Sequence, residues 1–80
     1  MYNYNVECIL HTSRASVEDL QKALEGFGVD VEIILMPQVD KERGRDFKVH
    51  VCTQDPTVVF DVCAEYGRIR SVKVEEGNPN

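Results

Sequence analysis

The stretch "FKVHVCTQDPTVVFDVCAEYGRI", residues 47–69, decides the fold, because it holds a strand, a helix and the start of another strand. Apolar and polar residues alternate from Phe47 to Cys52, which predicts a strand with one buried face. Asp55, followed by a proline, is typical of a helix N-cap and first turn. The predicted helix ends at Gly67, and its inner stripe consists of Val59, Val62, Cys63 and Tyr66.

The segments on either side complete the pattern. Alternation over residues 4–10 and 29–36 predicts two more strands, and a helix with Ser16 as its N-cap lies between them. The apolar stripe of this first helix is predicted to be Val17, Leu20, Leu24 and Phe27. The charged connection "PQVDKERGRD", residues 37–46, contains Gly44 and predicts a hairpin turn. A last strand follows Gly67, with an irregularity near Arg70 where the alternation breaks.

The order of elements is β-α-β-β-α-β. Right-handed crossovers then predict an α+β, ferredoxin-like sandwich. Its four-stranded antiparallel sheet has the order 4-1-3-2, with both helices on one face. We expect residues 1–80 to form a single domain whose last residues, about 76–80, are a frayed tail.

The net charge, the cysteine pattern and the lack of a catalytic signature argue against several classes of function. The net charge of −5 argues against nucleic acid and against an anionic membrane surface as partners. The three cysteines form no C-x-x-C pair and no disulfide framework, which favours a reducing, cytoplasmic location. No catalytic signature occurs, so we predict that the protein is not an enzyme and requires no cofactor.

The sheet face opposite the helices is the first candidate functional surface. Alternation predicts an apolar patch among charges on this face, and an 80-residue chain has a small core to stabilise it. We therefore predict a homo-oligomer whose interface contains Ile9, Ile34, Met36 and His50. His50 and Cys52 could also bind a soft metal ion, although ordinary surface residues are the favoured interpretation and no metal site is predicted.

Cys63 is the second candidate. It belongs to the helix stripe but is predicted to lie at its edge, one turn from the helix end. Core packing is the favoured interpretation, because the negative end of the helix dipole raises a thiol pKa. Reactivity is the alternative, with nearby Arg68 and Arg70 opposing the dipole. Arg14, close to a helix N-terminus, is a weaker candidate for contact with an anion.

Two resemblances suggest specific functions. The "GRIRSVKV" ending, residues 67–74, and the two helices of similar size resemble the ACT-type ligand-binding domain. This likeness implies a sensor of a small metabolite, with a pocket near the loop "HTSRAS", residues 11–16, at a subunit junction.

The second resemblance rests on chain length, the order of elements and the cysteine within "DPTVVFDVCAEYG", residues 55–67. These features are similar to those of small archaeal homo-oligomeric selenium-binding proteins. The likeness implies a non-enzymatic, thiol-based carrier or storage protein that holds selenium at Cys63, with Cys52 as the second choice. The alternatives are the metabolite sensor and a structural interaction module.

Overall fold

A computed structural model describes residues 4–37 and 43–76. It contains six elements in the predicted order, which are β1 (Tyr4–Thr12), α1 (Val17–Glu25), β2 (Val29–Leu35), β3 (Arg45–Thr53), α2 (Pro56–Tyr66) and β4 (Arg68–Glu76). The last described strand, β4, ends at Glu76, where the predicted frayed tail begins. The remainder of that tail and residues 38–42 of the predicted hairpin lie outside the described residues.

The strands form one antiparallel sheet in the order β2-β3-β1-β4. This is the predicted order 4-1-3-2 read from the other edge, so the α+β, ferredoxin-like fold is confirmed. In the two central strands, Cys8 of β1 is opposite Val49 of β3, and on the other side of β1 it is opposite Val72 of β4. This register places the alternate residues of neighbouring strands on the same face.

Both helices begin with the caps that the sequence predicts. The Ser16 hydroxyl accepts a bond from the backbone N–H of Asp19, at 3.1 Å. The Asp19 carboxylate accepts one in return from the backbone N–H of Ser16, at 3.0 Å, which completes a capping box. At the start of α2, Asp55 accepts a bond from the backbone N–H of Thr57. These bonds satisfy N–H groups that a helix cannot pair internally.

The core lies between the sheet and the two helices. Its fully or nearly fully buried hydrophobic residues are Val6, Cys8, Leu10, Leu20, Leu24, Phe47, Val49, Val51, Val59 and Cys63. Two buried threonines are hydrogen-bonded, since Thr12 Oγ1 donates to the Tyr66 carbonyl and Thr53 Oγ1 donates to the Phe27 carbonyl. Phe27, predicted as part of the α1 stripe, instead follows the end of α1 and is 46% exposed.

Two irregularities shape the strands. The register between β1 and β4 shifts where Ile9 and Leu10 face Ser71 and Ile69, so Arg70 is the extra residue of a bulge, as the broken alternation indicated. A second shift, which the sequence did not indicate, occurs near the start of β2, where Asp30 has a φ of 55°. Aspartate tolerates this left-handed conformation better than most residues. Gly44 has a φ of 90°, in line with the positive φ expected at the hairpin.

Candidate functional site

The open face of the sheet, opposite the helices, carries a cysteine and a histidine two residues apart on β3. The Cys52 thiol donates a hydrogen bond to Asn5 Oδ1 on β1, at 2.9 Å. The Nδ1 atom of His50 is buried and has no hydrogen-bond partner among the described residues. A buried polar atom without a partner costs free energy, so its presence calls for an explanation.

The surroundings of this pair, which we call the thiol–imidazole site (Cys52, His50 and Asn5), are acidic. His50 is opposite Glu7 of β1 and Glu32 of β2 in the register of the sheet. Burial, and secondarily the negative charge of Asp30, raise the pKa of the Cys52 thiol. The thiol therefore keeps its proton at neutral pH unless an ion with high affinity for sulfur displaces it.

The thiol–imidazole site has fewer described ligands than a complete metal coordination shell requires. Over residues 4–37 and 43–76, no three His, Cys, Asp or Glu side chains are grouped so that they could hold a metal ion. The site as described offers one sulfur, one ring nitrogen and one amide oxygen. Ligands beyond these would have to come from outside the described residues of this site, from solvent or from another molecule.

The predicted interface residues lie on or beside the same face. Ile9 and Ile34 are both opposite Lys48, on its two neighbouring strands, and Ile34 is 54% exposed. Met36 follows β2, and its backbone N–H donates to the Asp46 carbonyl at 2.9 Å. Ile9, Met36 and His50 are half-buried. Association of two copies through these residues stays a prediction.

Cys63 does not lie where the sequence placed it. The prediction of an edge position is wrong, because Cys63 is completely buried in the core beneath α2. A hydrogen bond with the Cys8 thiol, together with burial, raises the pKa of Cys63. Cys8 is buried as expected. A protonated, shielded thiol is poorly placed to meet an ion from solvent, whereas Cys52 is half-buried on the open face.

A cavity of about 430 Å³ lies at the end of β1, beside the "HTSRAS" loop. It is lined by His11, Thr12, Ser13, Arg14, Arg43, Tyr66 and Gly67. Sequence reasoning named Arg14 and this loop but did not identify the cavity, whose walls come from three separate segments of the chain. A pocket near residues 11–16 is what the sensor hypothesis required.

One wall of the cavity is fixed by His11, which lies at the end of β1 rather than in the following loop. Its Nδ1 is 2.7 Å from Asp46 Oδ1, and its Nε2 is 2.7 Å from the Arg43 carbonyl oxygen. A carbonyl and a carboxylate both accept, so the imidazolium form, with two N–H donors, satisfies both contacts. The Arg70 guanidinium also approaches Asp46, at 3.5 Å.

These observations define a small α+β domain of ferredoxin-like fold, with a thiol–imidazole pair on its open face and a basic cavity at one end of its sheet. None of the helices in the described ranges is long and apolar enough to cross a membrane. The FakA-like middle domain family, whose name refers to fatty acid kinase, matches residues 1–77, and the chain belongs to this family. No curated protein matches the chain. The family differs from both of the families that the sequence resembles.

Proposed function

We propose that this chain is a non-catalytic binding domain of a FakA-like, fatty acid kinase-related protein, and that its thiol–imidazole site binds an ion with high affinity for sulfur. Membership of a family of middle domains supports a role within a larger protein. The choice of site depends on His50 Nδ1, which has no hydrogen-bond partner among the described residues and belongs to the same face of β3 as the Cys52 thiol.

The chemistry of the pair selects the class of ion. Thiolate and imidazole together suit zinc and other soft or borderline ions, whereas magnesium and calcium prefer sets of oxygen ligands. Binding would release the thiol proton, and it would give His50 Nδ1 the partner that the described residues do not provide. Selenium, which the second resemblance implied, forms a bond to a thiol when it is supplied in an oxidised form such as selenite, with further thiols acting as the reductant. The structure favours Cys52 over Cys63 as its ligand, because Cys63 is enclosed by the core.

The experiment is loading of the protein with zinc, and separately with selenite in the presence of glutathione, followed by desalting and elemental analysis. We expect loading to be lost in Cys52→Ser and strongly reduced in His50→Gln. The matched control is Cys63→Ala, which removes a thiol from the core and should leave loading unchanged once folding is verified. Full loading of Cys52→Ser, or loss confined to the Cys63 variant, would contradict the proposal.

We also propose that the open face mediates self-association. Ile34 is more than half exposed between charged neighbours, and the core is small. Light scattering should therefore return a mass above the 9.1 kDa of one chain, and Ile34→Glu should return it to that value. The control is Gln21→Glu on the exposed surface of α1, which adds the same charge elsewhere. A 9.1 kDa particle for the unaltered protein at micromolar concentration would contradict this proposal.

A further inference from the structure

The arginines of the chain are concentrated at one end of the sheet. Every one of the five lies at the end where β1 finishes and where β3 and β4 begin, and they are Arg14, Arg43, Arg45, Arg68 and Arg70. Arg45 is opposite Thr12, and Arg68 is opposite His11, at the last two positions of β1. The chain as a whole has a net charge of −5, so this basic end is a local departure from an acidic molecule.

Two of these arginines, Arg14 and Arg43, line the cavity and have no carboxylate partner within residues 4–37 and 43–76. Asp46 is in contact with His11 and Arg70. Over the described residues, neither Arg14 nor Arg43 is within ion-pair distance of an acidic side chain. The Arg14 guanidinium donates instead to the backbone carbonyl of Glu65, which orients the side chain and leaves its charge uncompensated.

The cavity between them has the size and the polar groups of a ligand site. Its volume of about 430 Å³ falls within the range that small-molecule sites occupy, roughly 300–1,000 Å³. Ser13 contributes a hydroxyl to the lining, which also includes Tyr66 and Gly67. The Thr12 hydroxyl is already used, since it donates to the Tyr66 carbonyl at 2.6 Å and accepts from the Arg14 N–H at 3.2 Å.

We propose that this cavity binds the phosphate group of a small anionic ligand, with Arg14 and Arg43 as its principal contacts. A guanidinium presents a fork of donors that matches two oxygens of a phosphate. Two guanidinium groups that have no acidic partner among the described residues would be neutralised by one phosphate dianion, whereas a carboxylate would neutralise only one of them. The site is distinct from the thiol–imidazole site and does not depend on it.

The test uses the full chain and inorganic phosphate, titrated at constant ionic strength with chloride as the balancing anion. We expect saturable binding, measured by calorimetry and by amide chemical shifts of residues 11–14, 43, 66 and 67. Arg43→Gln should weaken binding about tenfold to a hundredfold, which is the scale of a lost hydrogen bond to a charged group. It is the cleaner variant, because the Arg43 backbone carbonyl that accepts from His11 is retained.

Arg14→Gln should weaken binding to a similar degree, with its fold verified by thermal unfolding because the Glu65 contact is lost. Lys22→Gln is the matched control, since it removes one exposed positive charge from α1, away from the cavity, and should leave the affinity unchanged. Absence of saturation by phosphate, or equal weakening in Lys22→Gln, would overturn the proposal. Acetate that binds as tightly as phosphate would also overturn it, since the site would then select a carboxylate.

Discussion

Gly67 is a position where one added methyl group should have a large local effect. The turn between α2 and β4 passes directly over the end of β1 at this residue. A Cβ atom at Gly67 would be 2.9 Å from Thr12 Cβ and 3.0 Å from the His11 carbonyl carbon, and it would lie far inside van der Waals contact of the His11 carbonyl oxygen. The φ of Gly67, 177°, is open to any residue, so the effect of Gly67→Ala is a packing effect alone.

The expected loss of unfolding free energy in Gly67→Ala depends on which atoms the added methyl group would displace. Overpacking a core position typically costs about 1–3 kcal/mol. The atoms met here are mainly backbone atoms of a central strand, which cannot rotate away as a side chain would, so we expect the upper part of that range, about 2–3 kcal/mol. A domain of 80 residues has a free energy of unfolding of roughly 4–12 kcal/mol. At about 4–8 °C per kcal/mol for a domain of this size, the melting temperature should fall by roughly 8–24 °C.

The assay is urea unfolding followed by circular dichroism, with Gly26→Ala as the matched control. Gly26 has a φ of −77°, and a Cβ atom there would have no neighbour within 4 Å. The control should therefore be neutral or more stable by about 0.4–1 kcal/mol, because alanine restricts the unfolded chain. A loss below about 0.5 kcal/mol in Gly67→Ala, the scale of an ordinary surface substitution, would refute the reasoning. A loss equal to that of the control would do the same.

Three further predictions concern the core, a cap and the thiols. Leu24→Ala, at a fully buried position, should lower the free energy of unfolding by about 2–5 kcal/mol in urea titrations, and a loss below about 1 kcal/mol would show that the site collapses freely. Ser16→Ala should cost about 1 kcal/mol in the same assay, and Ser16→Asp should restore most of it, whereas equal stability of all three proteins would refute the capping box. In the native protein, iodoacetamide should modify Cys52 and leave Cys63 unmodified until the chain is unfolded, as followed by mass spectrometry. Because burial raises the pKa of Cys52, the midpoint of its rate of modification against pH should lie above the ordinary thiol pKa of 9.0, and a midpoint at or below 9.0 would contradict the shift.

Most of the fold could be predicted because the signals are local. The capping box at Ser16, the Asp-Pro start of α2 and the turn at Gly44 each depend on residues close together in the chain. Even the bulge at Arg70 was visible, since an extra residue breaks the alternation of a strand. The irregularity at Asp30 left no such trace in the sequence, because apolar residues continue to alternate at Val29, Val31 and Ile33, whereas the register places one extra residue between Val29 and Glu32.

Burial was harder to predict than the face on which a residue lies. Alternation correctly assigned Val72 and Val74 to the strand, yet they are 51% and 42% exposed, although Val72 is opposite Cys8 and Val74 is opposite Val6. Two helices cover the middle of a four-stranded sheet and leave part of its edge open, and sequence periodicity does not report that limit. Cys63 shows the opposite error. The stripe of α2 placed it near the edge, but it packs against Cys8 at the centre of the sheet and is fully enclosed.

The basic cavity could not be predicted because it exists only where separate segments meet. Its lining residues come from three parts of the chain that are far apart in the sequence, namely residues 11–14, Arg43 and residues 66–67. None of these segments indicates a binding site when it is considered alone. Gly44 and Gly67 both allow the neighbouring backbone to approach the same two residues, since a Cβ at Gly44 would be 2.8 Å from the Thr12 carbonyl oxygen. Gly44 therefore allows the segment that follows Arg43 to lie against the end of β1, and Gly67 allows the turn after Tyr66 to lie against the same two residues. A methyl group at Gly67 should accordingly reduce phosphate binding as well as stability, because the wall it displaces is also the wall of the cavity.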